Sequence, residues 1–293
     1  MNKKIACLVA ALLATPLTWA ANPQPWQLNM TEGVTEVSRE VYSLHMFMLW
    51  VCVVIGVIVF GAMFYSMFKF RKSKGAVAAK FSHNTTAEVI WTVVPILILV
   101  VMAIPATRVL YKMYDTGAPE MTVKITGYQW KWRYEYLNYG DDHQTGINFI
   151  SSLSPEHDKI RRVGSGRDPN TEANYLLDVD KPLVLPADTK IRFVLTADDV
   201  IHSWWVPAFG WKQDAIPGFI NEAWTRIDQP GTYRGQCTEL CGKDHGFMPI
   251  VVDVLPRAEF ESWLAQRKAE SAAAAPTAQQ QQPAPAATAP GGI

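Results

Sequence analysis

The stretch Met121-Thr122-Val123-Lys124-Ile125-Thr126-Gly127-Tyr128-Gln129-Trp130-Lys131-Trp132-Arg133-Tyr134-Glu135-Tyr136 alternates apolar and polar side chains, the period of a strand that buries one face. Its apolar set is odd-numbered at Met121, Val123 and Ile125 but even-numbered at Tyr128, Trp130, Trp132, Tyr134 and Tyr136, and Gly127 sits at the switch. One extra residue in a strand turns every later side chain to the other face, so a β-bulge at Gly127 is the expectation. Further strand signals are Leu183-Val184-Leu185, Ile191 to Leu195, Ala223 to Ile227 and Ile250 to Leu255, divided by the turns Pro186-Ala187-Asp188 and Gln229-Pro230-Gly231. Roughly 150 residues of short strands make residues 115–265 an all-β domain, a Greek-key sandwich or barrel. Within it Pro155 to Asn170, rich in Arg, Gly and Asp, reads as a surface loop.

Upstream the chain changes solvent. Residues 1–20 have the charged, apolar and small-residue parts of a secretory signal peptide. Residues 21–114 hold two apolar runs, about 41–68 and about 89–109, each long enough to cross a hydrocarbon core of about 30 Å. Val51 to Met63 is apolar all round, which argues against a soluble amphipathic helix. Between the runs lie Lys69, Arg71, Lys72, Lys74 and Lys80, with no acid before Glu88. The excess of cations puts that loop in the cytoplasm and the mature termini outside. The 293-residue chain has no net formal charge, yet from Asp115 to Arg267 it carries 22 acidic and 16 basic side chains. That balance fits a cationic partner and excludes nucleic acid. Residues 266–293 dissolve into Ala, Pro and Gln and read as a disordered tail.

The chemistry lies in Cys237-Thr238-Glu239-Leu240-Cys241-Gly242-Lys243-Asp244-His245-Gly246-Phe247-Met248, with His202 in Asp198-Asp199-Val200-Ile201-His202-Ser203-Trp204. Two thiols, two imidazoles and a thioether suit copper. A mononuclear blue-copper centre uses one Cys, so a second thiolate suggests a bridge to a second copper. His202 and Cys237 would come from neighbouring loops at one end of the β domain. A disulfide and a structural zinc held by two Cys and two His are the other readings of the same residues. Cys7 falls in the signal peptide and Cys52 in the first apolar run. No Cys-x-x-Cys-His run occurs, so no covalently attached haem domain is expected.

From about Glu36 to Leu264 the chain resembles subunit II of bacterial haem–copper cytochrome c oxidases. The most specific parts are His202-Ser203-Trp204-Trp205-Val206-Pro207, Asp214-Ala215-Ile216-Pro217-Gly218, and Gly235-Gln236-Cys237-Thr238-Glu239-Leu240-Cys241 through His245 and Met248. The resemblance implies two transmembrane α-helices followed by a cupredoxin-like Greek-key domain with a dinuclear copper A centre. In it Cys237 and Cys241 bridge the coppers, His202 and His245 take one each, and Met248 and the Glu239 carbonyl are weak axial ligands. The Glu239 carboxylate would hold a magnesium ion shared with subunit I.

The same resemblance makes Trp130 the acceptor of the electron from cytochrome c, with Asp198, Asp199 and Glu135 docking that basic donor. Tyr128 stands where the family usually has His and Lys131 where it has Tyr, so a positive charge sits beside Trp130. Read from pattern alone, Trp130 is strand packing, the acids are solvated charges, and Glu88 in Glu88-Val89-Ile90-Trp91 is a first-turn acid favoured by the helix dipole. The family instead puts Glu88 at the cytoplasmic mouth of a proton path into subunit I. The implied setting is a bacterial inner membrane with the copper domain in the periplasm, a haem-bearing subunit I and a subunit III as partners. The rivals are a quinol oxidase subunit II, whose family lacks these copper ligands, a membrane-anchored copper-delivery protein, and a nitrous oxide reductase, which lacks the two spans.

Overall fold

The computed structural model describes residues 26–274. The signal peptide and the tail beyond residue 274 lie outside them. Two long helices come first, α1 (Glu36–Lys69) and α2 (Thr85–Met113), and their packing against each other makes an antiparallel hairpin. Both are apolar enough to span a membrane, and their apolar side chains face outward. They exceed the expected spans at both ends. At 1.5 Å per residue α1 is about 50 Å long, so it extends beyond an apolar layer of about 30 Å.

The extra turns of α1 anchor the domain. Thr35 caps α1 by accepting from the Ser38 N–H at 2.9 Å, and its own hydroxyl donates to the Phe209 carbonyl at 2.9 Å. Arg39 pairs with Asp228 at 2.5 Å, and the Trp224 indole donates to the Lys112 carbonyl at the end of α2 at 2.8 Å.

Ten strands follow: β1 (Met121–Tyr128), β2 (Lys131–Tyr139), β3 (Asn148–Ser151), β4 (Leu183–Pro186), β5 (Ile191–Ala197), β6 (His202–Trp205), β7 (Lys212–Ala215), β8 (Asn221–Thr225), β9 (Gly231–Cys237) and β10 (Pro249–Leu255). They form two five-stranded sheets in the orders β3-β2-β1-β5-β8 and β4-β10-β9-β6-β7. The pairs β1/β5 and β4/β10 are parallel and the others antiparallel. The core between the sheets is aromatic, with Trp132, Tyr134, Phe193, Trp204 and Phe209 fully buried.

The parity switch in the opening stretch has a different cause from the expected bulge at Gly127. Residues 121–136 are a hairpin, with Tyr128 opposite Lys131 and Ile125 opposite Tyr134. From Val123 onward each odd residue of β1 faces an even residue of β2, and opposite residues share a face. Val123 and Ile125 therefore join Trp132 and Tyr134 in the core without any slip. Gln129 and Trp130 form the turn, and the register irregularity lies at Thr122/Val123.

Two other expectations change. Pro155 to Asn170 is not all loop: Pro155–Ile160 is a short helix, α3, that buries His157 and Ile160. The tail does not begin at residue 266, because helix α4 (Arg257–Ala274) runs through it. Phe260 and Leu264 dock α4 on the core. Its last turns hold together through Ala's high helix propensity and Arg267–Glu270 pairing at 2.9 Å.

Candidate metal centre

The expected ligands converge at one end of the second sheet. His202 opens β6, Cys237 ends β9, and the antiparallel pair Trp204/Cys237 brings them together across 35 positions of sequence. Beyond Cys237 the chain is held by the Thr238 N–H on the Ser203 carbonyl at 3.1 Å, and it returns through a 3₁₀ turn at His245–Phe247 into β10. Cys237 and Cys241 are free thiols, with Sγ atoms 3.9 Å apart. His202 Nδ1 lies 4.0 Å from Cys237 Sγ, and His245 Nδ1 lies 3.6 Å from Cys241 Sγ. Met248 Sδ is 3.6 Å from Cys241 Sγ, and the Glu239 carbonyl is 3.4 Å from Cys237 Sγ. Among the described residues, the ligand atoms of His202, Cys237 and Cys241 lie within 4.8 Å of one another. His245 joins them through Cys241. The Glu239 side chain is exposed.

All but His245 and Glu239 of these residues are buried. Burial first, then the neighbouring Cys237, pushes the Cys241 thiol up to about 12. Without a cation the Cys241 sulfur therefore keeps its proton at neutral pH, and metal uptake there must release it. Two thiols, two imidazoles, a thioether and a carbonyl form a soft, dry donor set that fits copper better than any hard cation.

The surrounding shell fixes the ring and the loop. His202 Nε2 lies 2.9 Å from Asp199 Oδ1, which leaves Nδ1 for the thiol side. A carboxylate on the far nitrogen orients a metal-binding imidazole. The other Asp199 oxygen accepts from the Gln129 N–H at 2.7 Å. Burial works against that charge, but the hydrogen bonds from His202, Gln129 and Val200 hold the carboxyl below its ordinary value. Gly127 leaves room for the ring, since a Cβ there would come within 2.8 Å of His202 Cδ2. Trp132 sets its indole edge-on to His202 at 5.9 Å and donates to the Met248 carbonyl at 3.2 Å.

Trp130 is half-buried, and its indole N–H donates to the Cys241 carbonyl at 3.2 Å, which the Gln129 side chain also reaches at 2.9 Å. Gly242, at φ +118°, lets this indole lie on the loop, because a Cβ would meet Trp130 Cζ2 at 3.0 Å. Of the expected docking acids, Glu135 pairs with Lys124 at 3.0 Å, Asp199 is turned to His202, and Asp198 is exposed. Glu88 lies far along the chain at the start of α2, accepting from the Asn84 N–H at 3.2 Å. Pattern reading missed Gln129 and the inward role of Asp199. The Asp-x-x-His spacing was the available signal for the second.

Removing the Asp199 carboxylate frees the His202 ring to rotate. Asp199→Ala should weaken copper binding about 10- to 100-fold in a chelator competition titration; an unchanged affinity would leave Asp199 a surface acid.

A β-sandwich carried on a helical hairpin, with thiols and imidazoles gathered at the ends of its strands, defines a membrane-anchored protein with a cupredoxin-like metal domain. Family profiles agree: "Cytochrome C oxidase subunit II, periplasmic domain" matches residues 121–255, and the corresponding transmembrane domain matches residues 23–109. A probable cytochrome c oxidase subunit 2 of Rickettsia bellii is 38% identical over 265 residues, covering 90% of this chain and 93% of that protein. Cytochrome c oxidase subunit 2 of Arabidopsis thaliana is 36% identical over 245 residues, 83% of this chain and 90% of that one. The solved periplasmic domain of cytochrome oxidase subunit II from Bradyrhizobium japonicum is 38% identical, with a TM-score of 0.44, and covers 53% of this chain and 98% of that one. The chain belongs to the cytochrome c oxidase subunit II family. It is subunit II of a haem–copper oxidase, an oxidoreductase component held in the membrane by two helices.

Proposed function

We infer that this subunit accepts single electrons from a c-type cytochrome at a dinuclear copper A centre and passes them to haem in subunit I, where oxygen is reduced to water. The observation that carries this reading is the meeting of Cys237, Cys241, His202, His245, Met248 and the Glu239 carbonyl in one buried place. Cys237 and Cys241 would bridge, His202 and His245 would each take one copper, and Met248 and the Glu239 carbonyl would be the weak ligands. Bound there, the copper pair supplies a one-electron store whose shared sulfurs keep structural change on reduction small. The chain's part is rigidity and dryness: β6 and β9 fix two ligands, Asp199 fixes a ring, and burial excludes water.

Trp130 is the proposed acceptor facing the donor. It is partly exposed, and its N–H touches the carbonyl of Cys241, so an electron arriving there is one hydrogen bond from a ligand residue. Trp130→Phe removes that bond and should slow reduction by cytochrome c at least about tenfold with copper content intact. Equal stopped-flow rates would return Trp130 to a packing role.

The exposed Glu239 carboxylate suits a magnesium ion at the contact with subunit I, a hard donor for a hard cation. For Glu88 the proposal is delivery of protons to subunit I from the cytoplasmic side. Glu88→Ala should then lower proton uptake and turnover together, and normal pumping in vesicles would leave it a helix cap. The membrane is proposed to be the bacterial inner membrane, with subunit III completing the complex.

Electron paramagnetic resonance with copper quantitation decides the central claim. Hyperfine structure shared by two equivalent coppers, at two per chain, is expected. A single-copper pattern would favour copper delivery, and a metal-free protein that oxidises quinol would favour the quinol oxidase reading.

A further inference from the structure

The rim around Trp130 is basic. Lys131 follows Trp130 and opens β2 on its outer face, because Trp132, Tyr134 and Tyr136 take the inner one. Arg133 shares that outer face and lies over the Tyr128 ring at 5.2 Å. Lys243, from the metal-binding loop, sets its Nζ 5.6 Å from the centre of the Trp130 ring. None of these three cations has a carboxylate within ion-pair distance among the described residues.

Most of the neighbouring acids are paired inside the molecule. Glu135 is held by Lys124 at 3.0 Å, and Asp199 by His202 and the Gln129 N–H. A recess of about 210 Å³ beside Trp130 is lined in part by Asp158, Arg161 and Asp244, and there Arg161 meets both carboxylates, at 2.8 Å and 3.6 Å. Asp198 alone of the expected docking acids has no cationic partner among the described residues.

We propose that the electron donor docks at this rim with an acidic face: a small c-type cytochrome whose carboxylates, beside its exposed haem edge, meet Lys131, Arg133 and Lys243. The proposal rests on the reading that electrons reach the chain at Trp130. A lysine-ringed cytochrome approaching the same spot would meet three cations that no internal acid neutralises. Rim charges act mainly on the association rate and its salt dependence.

The test uses the assembled oxidase complex and two reduced probes, an acidic-faced c-type cytochrome and a lysine-faced cytochrome c, in stopped flow. Between about 10 mM and about 150 mM salt the screening length falls from about 30 Å to about 8 Å. Over that range the acidic donor should slow about tenfold, while the lysine-faced donor stays flat or speeds up. The double variant Lys131→Glu with Lys243→Glu should reverse the ranking of the two donors. A lysine-faced donor that is the faster and salt-sensitive one in the unaltered complex, with its rate not raised by the double variant, overturns the docking proposal and leaves electron acceptance standing. Failure of both cytochromes to reduce the complex overturns the docking proposal together with the reading beneath it.

Discussion

Cys241→Ser should abolish reduction by cytochrome c, with a loss of at least about 100-fold, while leaving the metal-free protein folded. The Cys241 sulfur touches three other side chains of the cluster, Cys237 at 3.9 Å, His245 at 3.6 Å and Met248 at 3.6 Å. A hydroxyl in its place is a hard, shorter donor that does not ionise near neutral pH, so the proposed bridge between two coppers would be lost. Folding has little stake in that sulfur, since the loop is held by backbone bonds such as Phe247 N–H to Asp244 carbonyl at 2.8 Å and by Trp130 and Gln129 on the Cys241 carbonyl. A second signature comes from the proton balance. Because burial pushes this thiol up to about 12, it is protonated in the metal-free chain. Copper binding must displace that proton, so affinity rises with pH. Proton release per site should fall by about one in the variant, read as the slope of log affinity against pH. A variant that keeps two coppers per chain and normal kinetics would remove Cys241 from the site.

The metal loop could be read because its chemistry is local in composition: two thiols, an imidazole and a thioether within twelve residues have few uses. The spans were equally plain, since length and apolarity alone define them. The hairpin tip was not, for a definite reason. Two-residue hairpin turns usually announce themselves with Asn-Gly or Gly, which relieve backbone strain locally. Here the turn is Gln129-Trp130, and its partners are Asp199 and the Cys241 carbonyl, about 70 and 110 positions away. Tertiary contacts hold it, so a local reading sees a slipped strand. Asp199 misled in the same way: in sequence it is one of two adjacent acids, and only the fold aims its carboxylate at the His202 ring. The strands β3, β6 and β7 were missed because Asn148-Phe149-Ile150-Ser151, His202-Ser203-Trp204-Trp205 and Lys212-Gln213-Asp214-Ala215 are short and have no clear alternation, and β9 because only Tyr233 and Cys237 mark its buried face, with glycines at 231 and 235. Helix α4 was not foreseen because Ala is read as tail composition beside Pro and Gln, yet it is the best helix former where an aromatic anchor such as Phe260 precedes it.

Trp204→Ala should be the most destabilising single change in the β domain, and it should loosen the metal site as well. Its fully buried indole stacks on Phe193 at 5.6 Å and Trp211 at 5.2 Å, lies 6.2 Å from Phe209, and donates to the Tyr134 hydroxyl at 3.3 Å. Truncating a buried tryptophan to alanine costs about 3–5 kcal/mol, because the cavity only partly closes. For a domain of this size that is a fall in Tm of roughly 6–20 °C. Tyr134 would also lose its buried donor, and the two sheets would lose an indole that bridges them. The same residue is two positions from His202 and directly opposite Cys237 in the β6/β9 pair. A cavity behind it therefore relaxes the strands that set two ligands, and copper should be lost to a chelator at temperatures below the unfolding transition. Trp204→Phe, which keeps a stacked ring and removes the indole N–H, should recover most of the stability. Calorimetry of the full chain in detergent checks the order of effects: a Trp204→Ala protein melting within about 2 °C of the unaltered one would mean that the aromatic stack contributes shape to this core and little of its stability.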